Sequence, residues 1–334
     1  MIDIPSEEQF RGCLVGQALG DALGFVVEGQ PPEVCRTYVD EMLDRDGETE
    51  SDRFPVGQYS DDTQLARELM QSYAARGRFD PEDYARRICA IFSEGRIVGR
   101  GRSTEEAAKR LARGVPWDEA GTPPPSAGNG SAMRAGPIGL IFHDDPESLV
   151  RASTEQGIIT HADPRCSAGA IAIAGAVDLA LRARSVEPAP FLARLGELSE
   201  EVEPRFATYL RRLTRWMPLP PEEAVIRISQ EGLEQAPSHG WRGIPLFVVG
   251  SVLWSLYSFL KSPDDYQETI RTAIAAGGDV DTTAAMAGAI SGARLGLGAM
   301  SQSLAHRLTD RGTWGLAELI ALANECHRIK RRLA

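Results

Sequence analysis

The chain has 334 residues and carries 36 Lys and Arg against 47 Asp and Glu, a formal net charge of −11. At 43% hydrophobic and 25% charged it has the composition of a globular protein with a sizeable core, which excludes disorder and mini-protein scaffolds. The acidic balance excludes a general binder of phosphate backbones, which needs a dominant basic field.

In chain order, the N-terminus MIDIPSEEQFRGC has no basic region ahead of an apolar run, so it is not read as a signal peptide and a cytoplasmic location is expected. Leu65, Leu69 and Tyr73, with Ala66 and Met70 beside them, recur at the spacing of one helix face. EEAAKRLARG at 105–114 and SAGAIAIAGAVDLALRAR at 167–184 read as helices, the second apolar enough to be central. Ile244 to Leu260 is the longest uncharged stretch; its Pro245, Gly250 and serines favour a buried helix over a membrane span. Residues 281–296 line Ala285, Gly288, Ala289, Gly292 and Ala293 along one side, which suits a closely packed helix. Loops are expected at Gly29 to Pro32, 44–53, 121–130 and Pro218 to Pro221, none long enough for a domain linker, so residues 1–334 are read as a single domain. No alternating strand longer than about four residues occurs, and the expected class is all-α, a compact orthogonal helical bundle. The cysteines at 13, 35, 89, 166 and 326 form no CxxC pair and are odd in number, which argues against a zinc knuckle or disulfide framework and fits a reducing compartment.

Four segments combine glycine with acid or amide: Gly20-Asp21-Ala22-Leu23-Gly24 followed by Glu28; Gly57-Gln58-Tyr59-Ser60-Asp61-Asp62-Thr63; Gly128-Asn129-Gly130-Ser131-Ala132-Met133-Arg134; and Gly277-Gly278-Asp279-Val280-Asp281-Thr282. In the second and fourth, aspartates and hydroxyls stand where a helix pattern begins. Either cluster alone is equally well a helix cap. Brought together, four carboxylates would repel and would have to protonate or find cations. With no Cys or His among them, the donors are hard oxygens that suit Mg²⁺ and not zinc.

These segments, in this order, resemble the ADP-ribosylglycohydrolase family, which includes the dinitrogenase-reductase-activating glycohydrolase. The matching stretches are GCLVGQALGDALGFVVEG (12–29), GQYSDDTQLA (57–66), GNGSAMRAGPIGL (128–140), THADPRCSAGA (160–170) and GGDVDTTAAMAGAISGA (277–293). They span nearly the whole chain, and five ordered motifs are far more specific than any one of them. The resemblance implies a helical domain with a binuclear centre of two Mg²⁺ or Mn²⁺. It implies metal ligands at Ser60, Asp61, Asp62, Asp279, Asp281 and Thr282, with Asp281 bridging; Ser60 stands where the family commonly has Thr. Glu28 matches the acid near the scissile bond, Gly128, Asn129, Gly130, Ser131 and Met133 the loop around ribose and phosphates, and His161 the substrate-side histidine. Ser131 stands where the family often has Ala or Gly, and is expected to add a hydrogen bond to substrate.

Other readings of the same residues stand beside these. Glu28 alone reads as a solvated loop edge, Asp21 as a cap of its own turn or as support for the metals, and Gly128 and Gly130 as positive-φ turn glycines. Arg134 reads as structural, paired with an acid, and Trp241 and Tyr257 as core. The implied reaction is hydrolysis of the bond between the distal ribose of ADP-ribose and an acceptor, through an oxocarbenium-like transition state. Glu28 is the expected proton-transfer group and Asp62 the alternative. The expected partner is the ADP-ribose moiety of a modified substrate, such as an ADP-ribosylated protein; no membrane is expected, and nucleic-acid-linked ADP-ribose is allowed but not indicated. The rival readings are a non-catalytic ADP-ribose binder on the same fold and a metal-dependent phosphohydrolase of the pyrophosphate.

Overall fold

Short polar residues followed by proline set where many of the helices start. Asp80, Asp145 and Asp163 each cap a helix through the side chain, and Pro81, Pro146 and Pro164 follow at the first helical position, where a missing N–H costs nothing. The computed structural model describes residues 4–42, 54–233 and 242–333. Among these the chain forms α1 (Glu7–Phe25), α2 (Pro32–Met42), α3 (Asp61–Arg76), α4 (Pro81–Ser93), α5 (Arg102–Ala112), α6 (Gly136–Ile141), α7 (Pro146–Ile158) and α8 (Pro164–Arg182). It continues with α9 (Pro188–Ser199), α10 (Pro204–Leu213), α11 (Pro221–Ile228), α12 (Val248–Lys261), α13 (Tyr266–Ala275), α14 (Val280–Leu295), α15 (Gln302–Ala305) and α16 (Leu316–Leu333).

Extended pairing among the described residues is confined to isolated bridges, including Thr122 with His161, Gly128 with Phe247 and Ile244 with Gly278. The all-α class expected from periodicity is therefore the observed one. The expected charged loop at 44–53 lies outside the described residues.

α8 and α12 are both core helices. By length and composition α8 could cross a bilayer, yet 78% of its apolar window is buried inside the protein. α12 is too short to span one at 14 residues, and every side chain from Val248 to Leu260 is buried. The expected buried helix at 244–260 is thus correct in kind and begins four residues later, after Pro245 and Phe247.

The main chains of α1 and α14, which run antiparallel, lie in direct contact. A Cβ on Gly12 would lie 2.1 Å from the Gly292 carbonyl oxygen, one on Gly16 2.5 Å from that of Gly288, and one on Gly20 2.2 Å from that of Ala284. At the far end, a Cβ on Gly24 would lie 2.5 Å from the Cα of Asp281. No side chain fits at these positions, so the glycines at every fourth residue of α1 let the backbones touch. That contact brings Asp21 and Glu28, from α1 and the turn after it, to the N-terminus of α14.

Candidate active site

The N-terminus of α3 is capped twice. Ser60 is the local cap: its Oγ accepts from the Asp62 amide at 3.3 Å and donates to Asp62 Oδ2 at 3.0 Å. Asp21 caps the same turn from α1. Its carboxylate accepts the Ser60 amide at 2.9 Å, the Thr63 amide at 3.0 Å and the Thr63 hydroxyl at 2.6 Å. Asp21 therefore does not cap its own turn; it holds the second motif in place from across the molecule. Gln17, one helical turn earlier, donates its side-chain amide to the carbonyls of Asp62 and Met133, both at 3.0 Å.

The two aspartate clusters converge. Asp21, Asp62 and Asp281 each offer a carboxylate oxygen within 4.8 Å of the others, and Glu28, Asp279 and Asp281 form a second such group. Asp281 belongs to both. Asp61 belongs to neither: a Cβ on Gly99 would sit 2.9 Å from its Oδ1, and the Gly101 backbone hydrogen-bonds to it. Thr282 is buried beside Asp279 and hydrogen-bonds to it.

Crowding carboxylates out of water raises their pKa values. Burial, followed by neighbouring charge, places Asp61, Asp62 and Asp281 well above the ordinary carboxylate range. Burial lifts Asp21 to about 6 against the pull of its hydrogen bonds to Thr63 and Ser60. Asp279 reaches about 6 by burial, held back by hydrogen bonds from Asn129, Asp281 and Thr282. Glu28 is partly in solvent, but desolvation on its site-facing side, then the charges of Asp279 and Asp21, push it up to about 7. Among the described residues, two buried oxygens of the centre, Asp62 Oδ1 and Asp281 Oδ1, have no hydrogen-bond partner. Orphaned, mutually repelling carboxylate oxygens of this kind fit a hard divalent cation.

The 128–134 loop lies against this centre, and most of its side-chain polar groups are engaged by protein, Arg134 Nη1 being the exception. Asn129 donates its side-chain amide to Asp279 and, at 2.8 Å, to Ser251 Oγ, so it ties the loop to the fourth motif. Ser131 is fully buried, and its hydroxyl donates to the Cys166 carbonyl at 2.8 Å. The expected hydrogen bond from Ser131 to substrate is corrected on that ground. Met133 is 4% exposed and belongs to the hydrophobic core, so its contribution to the loop is packing.

Gly128 and Gly130 do not have positive φ. Their lack of a side chain serves His161 instead. A Cβ on Gly130 would stand 2.6 Å from the His161 Cε1, and one on Gly128 3.4 Å from its Nε2. His161 is buried, and desolvation, then the charge of Arg134, lower its pKa to about 3; it is neutral at physiological pH. Arg134 is structural as expected, but its side chain hydrogen-bonds Gln156 and Thr160 and lies over the Tyr84 ring, with no acid in ion-pair contact among the described residues. Tyr257 is core, stacked on Trp254 at 5.0 Å. Trp241 lies outside the described residues.

Sequence reading did not find the reach of Asp21 to α3, the Gln17 clamp or the Arg134–Thr160–His161 contact. The one signal available beforehand was the spacing Gly12, Gly16, Gly20, Gly24, which marks one face of α1 as a close-contact surface.

A protein of the all-α class whose paired acids meet at two helix N-termini beside a glycine loop has the build of a hydrolase of ADP-ribosyl linkages. The chain belongs to the ADP-ribosylglycohydrolase family, whose signature matches residues 3–332. It is 32% identical to human ADP-ribosylhydrolase ARH3 (Homo sapiens), over 97% of this chain and 94% of that one. It is 33% identical to an uncharacterized protein of Archaeoglobus fulgidus over 86% of this chain and 88% of the other. A solved ADP-ribosylglycohydrolase-related protein complex contains a chain of the same fold, with a TM-score of 0.68 and 29% identity over 97% of this chain and 98% of that one.

Proposed function

We propose that the chain is a divalent-metal-dependent hydrolase that releases intact ADP-ribose by cleaving the bond between its distal ribose and an acceptor. The observation that carries the reading is the convergence of two three-carboxylate groups on a shared Asp281, with Asp62 Oδ1 and Asp281 Oδ1 buried and unpartnered. Asp62, Asp279 and Asp281 would hold two Mg²⁺ or Mn²⁺, together with Ser60 and Thr282 beside them and with Asp61, whose carboxyl would turn from Gly99 toward the centre. When bound, such ions supply Lewis-acid polarisation of substrate oxygens and a more acidic water.

The protein's own groups do the rest. Asp21 holds Ser60 and Thr63, and through them the orientation of Asp62. Glu28, titrating near 7, is suited to take a proton from water or give one to the leaving group, since a proton-transfer group works best with a pKa near the operating pH. Asp62 is the second candidate for that role. The loop at 128–134 presents backbone next to the acid centre for the ribose and phosphates, as main-chain N–H groups do in other phosphate sites. A cytoplasmic setting belongs to the same proposal, supported by five free cysteines.

The test is a panel of ADP-ribose attached to arginine, serine, a nucleic-acid phosphate and a small phosphate ester, incubated with Mg²⁺ or Mn²⁺ and with chelator. Released intact ADP-ribose that disappears with chelator supports the reading. AMP plus ribose phosphate would make the chain a phosphohydrolase. Binding of ADP-ribose without turnover of any substrate would make it a binder.

A further inference from the structure

Behind the 128–134 loop runs a closed circuit of buried hydrogen bonds. Gln156 donates its amide to the Ser131 carbonyl at 2.8 Å and accepts from Arg134 Nε at 2.7 Å. Arg134 Nη2 donates to the Gln156 carbonyl and to Thr160 Oγ1, both at 2.8 Å. Thr160 Oγ1 is 2.8 Å from His161 Nδ1. Thr160 is fully buried. The His161 main chain is fixed by its pairing with Thr122, and its ring lies against Gly128 and Gly130.

Hydrogen counting decides how this circuit runs. A guanidinium only donates, so Thr160 Oγ1 accepts from Arg134 and keeps one hydrogen of its own. Among the described residues the acceptor within reach of that hydrogen is His161 Nδ1. Were Nδ1 protonated, two donors would point at the same oxygen and the hydroxyl hydrogen would be buried without an acceptor. A buried donor left without a partner shifts such an equilibrium by about tenfold or more.

From this we infer that Arg134 and Thr160 are positioning residues that lock His161 as the neutral Nε2–H tautomer, making it a fixed hydrogen-bond donor to an oxygen of ADP-ribose at the glycine loop. The assignment of the ligand rests on the function proposed above; the tautomer does not. Nε2 has no protein partner among the described residues, and the glycines on either side of Asn129 are what leave it room. A ring fixed in this form does not act as a general base through Nδ1, so proton transfer stays with the carboxylates.

Long-range ¹H–¹⁵N correlation on labelled full-length protein reads the tautomer directly. The expected wild-type spectrum has a protonated Nε2 and a pyridine-like Nδ1, with the Nε2–H signal moving on saturation with ADP-ribose. Thr160→Val, which keeps shape and removes the hydroxyl, should give a mixture of tautomers and weaken ADP-ribose about 5- to 20-fold, and Thr160→Ser should restore both. Protonated Nδ1 or an imidazolium in the wild type at neutral pH overturns the proposal, as does an unchanged tautomer in Thr160→Val. An Nε2–H signal indifferent to ADP-ribose overturns the donor role. Should Thr160→Val not fold, the wild-type spectrum still decides the tautomer. That spectrum needs no turnover, so a chain inactive on every ADP-ribosylated acceptor would refute the function above and leave this reading standing.

Discussion

The acid centre and the glycine loop meet at the Asn129–Asp279 hydrogen bond, and on either side of it the protein treats polar atoms in opposite ways. On the acid side, carboxylates are packed together with oxygens that accept nothing, and protonation or a cation must resolve their repulsion. On the loop side, Asn129, Ser131, Gln156, Thr160 and the Nδ1 of His161 all have protein partners, while Arg134 Nη1, beside the Tyr84 ring, lacks one among the described residues. One side is incomplete by itself and the other is preassembled. Metal-binding chemistry favours the first arrangement, and recognition of a rigid ligand surface favours the second, because ordering costs are met on folding and not on binding.

The sharpest way to break the comparison is Asp281→Ala. Asp281 is common to both acid groups, so its loss should lower kcat by about 10³-fold or more and abolish divalent binding measured by calorimetry. The helical circular dichroism should persist, with metal-free stability unchanged or up by as much as about 1 kcal/mol as repulsion is relieved. A variant that still turns over with Mg²⁺ would remove the acid centre from the mechanism. Glu28→Gln comes next. It keeps size and hydrogen bonding, and should cost about 10²–10⁴ in single-turnover rate with little change in ADP-ribose Kd. A variant within about threefold of wild type in both would return Glu28 to the loop surface.

On the loop side, Gly130→Ala drives a methyl to 2.6 Å from the His161 ring. The ring must move, so ADP-ribose affinity should fall about 10-fold while Mg²⁺ binding holds, with a stability cost of about 1–3 kcal/mol. Loss of metal binding in the same variant would show that the two sides are not separable. The last test is the metal-free protein's response to pH. Asp21 and Asp279 titrate near 6 when folded, above the unfolded value of about 4. Between those values the folded state holds more protons, so stability is greatest at the acid end and falls as pH rises through 4 to 6. A decline of a few kcal/mol, or roughly 5 °C in Tm, is expected with chelator, and added Mn²⁺ should flatten it. A Tm that climbs over that range would contradict the crowding of the acids.

Much of this was readable from the residues. The helical patterns at Leu65 to Tyr73, 167–184 and 281–296 correspond to α3, α8 and α14, and the acid motifs stood out by type. What one-dimensional spacing does not encode is direction. Ser131 sits in a substrate-like motif, yet its hydroxyl turns to the Cys166 carbonyl. Asp61 and Asp62 are neighbours in sequence, but a helix turns by about 100° per residue, so Asp62 faces Asp281 while Asp61 faces Gly99 and Gly101. Asp21 reads as a local cap because local partners are what sequence shows; its real partners lie at 60 and 63. Gly128 and Gly130 read as turn residues, whereas the residue that requires them is His161, 31 positions further on from Gly130.

The contact between α1 and α14 also bears on the order in which the molecule can be made. Four glycines in one helix lower its intrinsic stability by roughly 1 kcal/mol each relative to alanine, so α1 by itself is a poor helix, held by its fit against α14. Its partner residues, Ala284 to Gly292, leave the ribosome more than two hundred residues after Gly20. Contacts this distant in the chain close late, because loop entropy opposes them until nearby structure has formed. Asp21 and Glu28 are thus synthesised first but reach Asp281 only when the α14 segment arrives, and a nascent chain stopped before residue 280 holds the N-terminal acids without the helix that would bring them into a site.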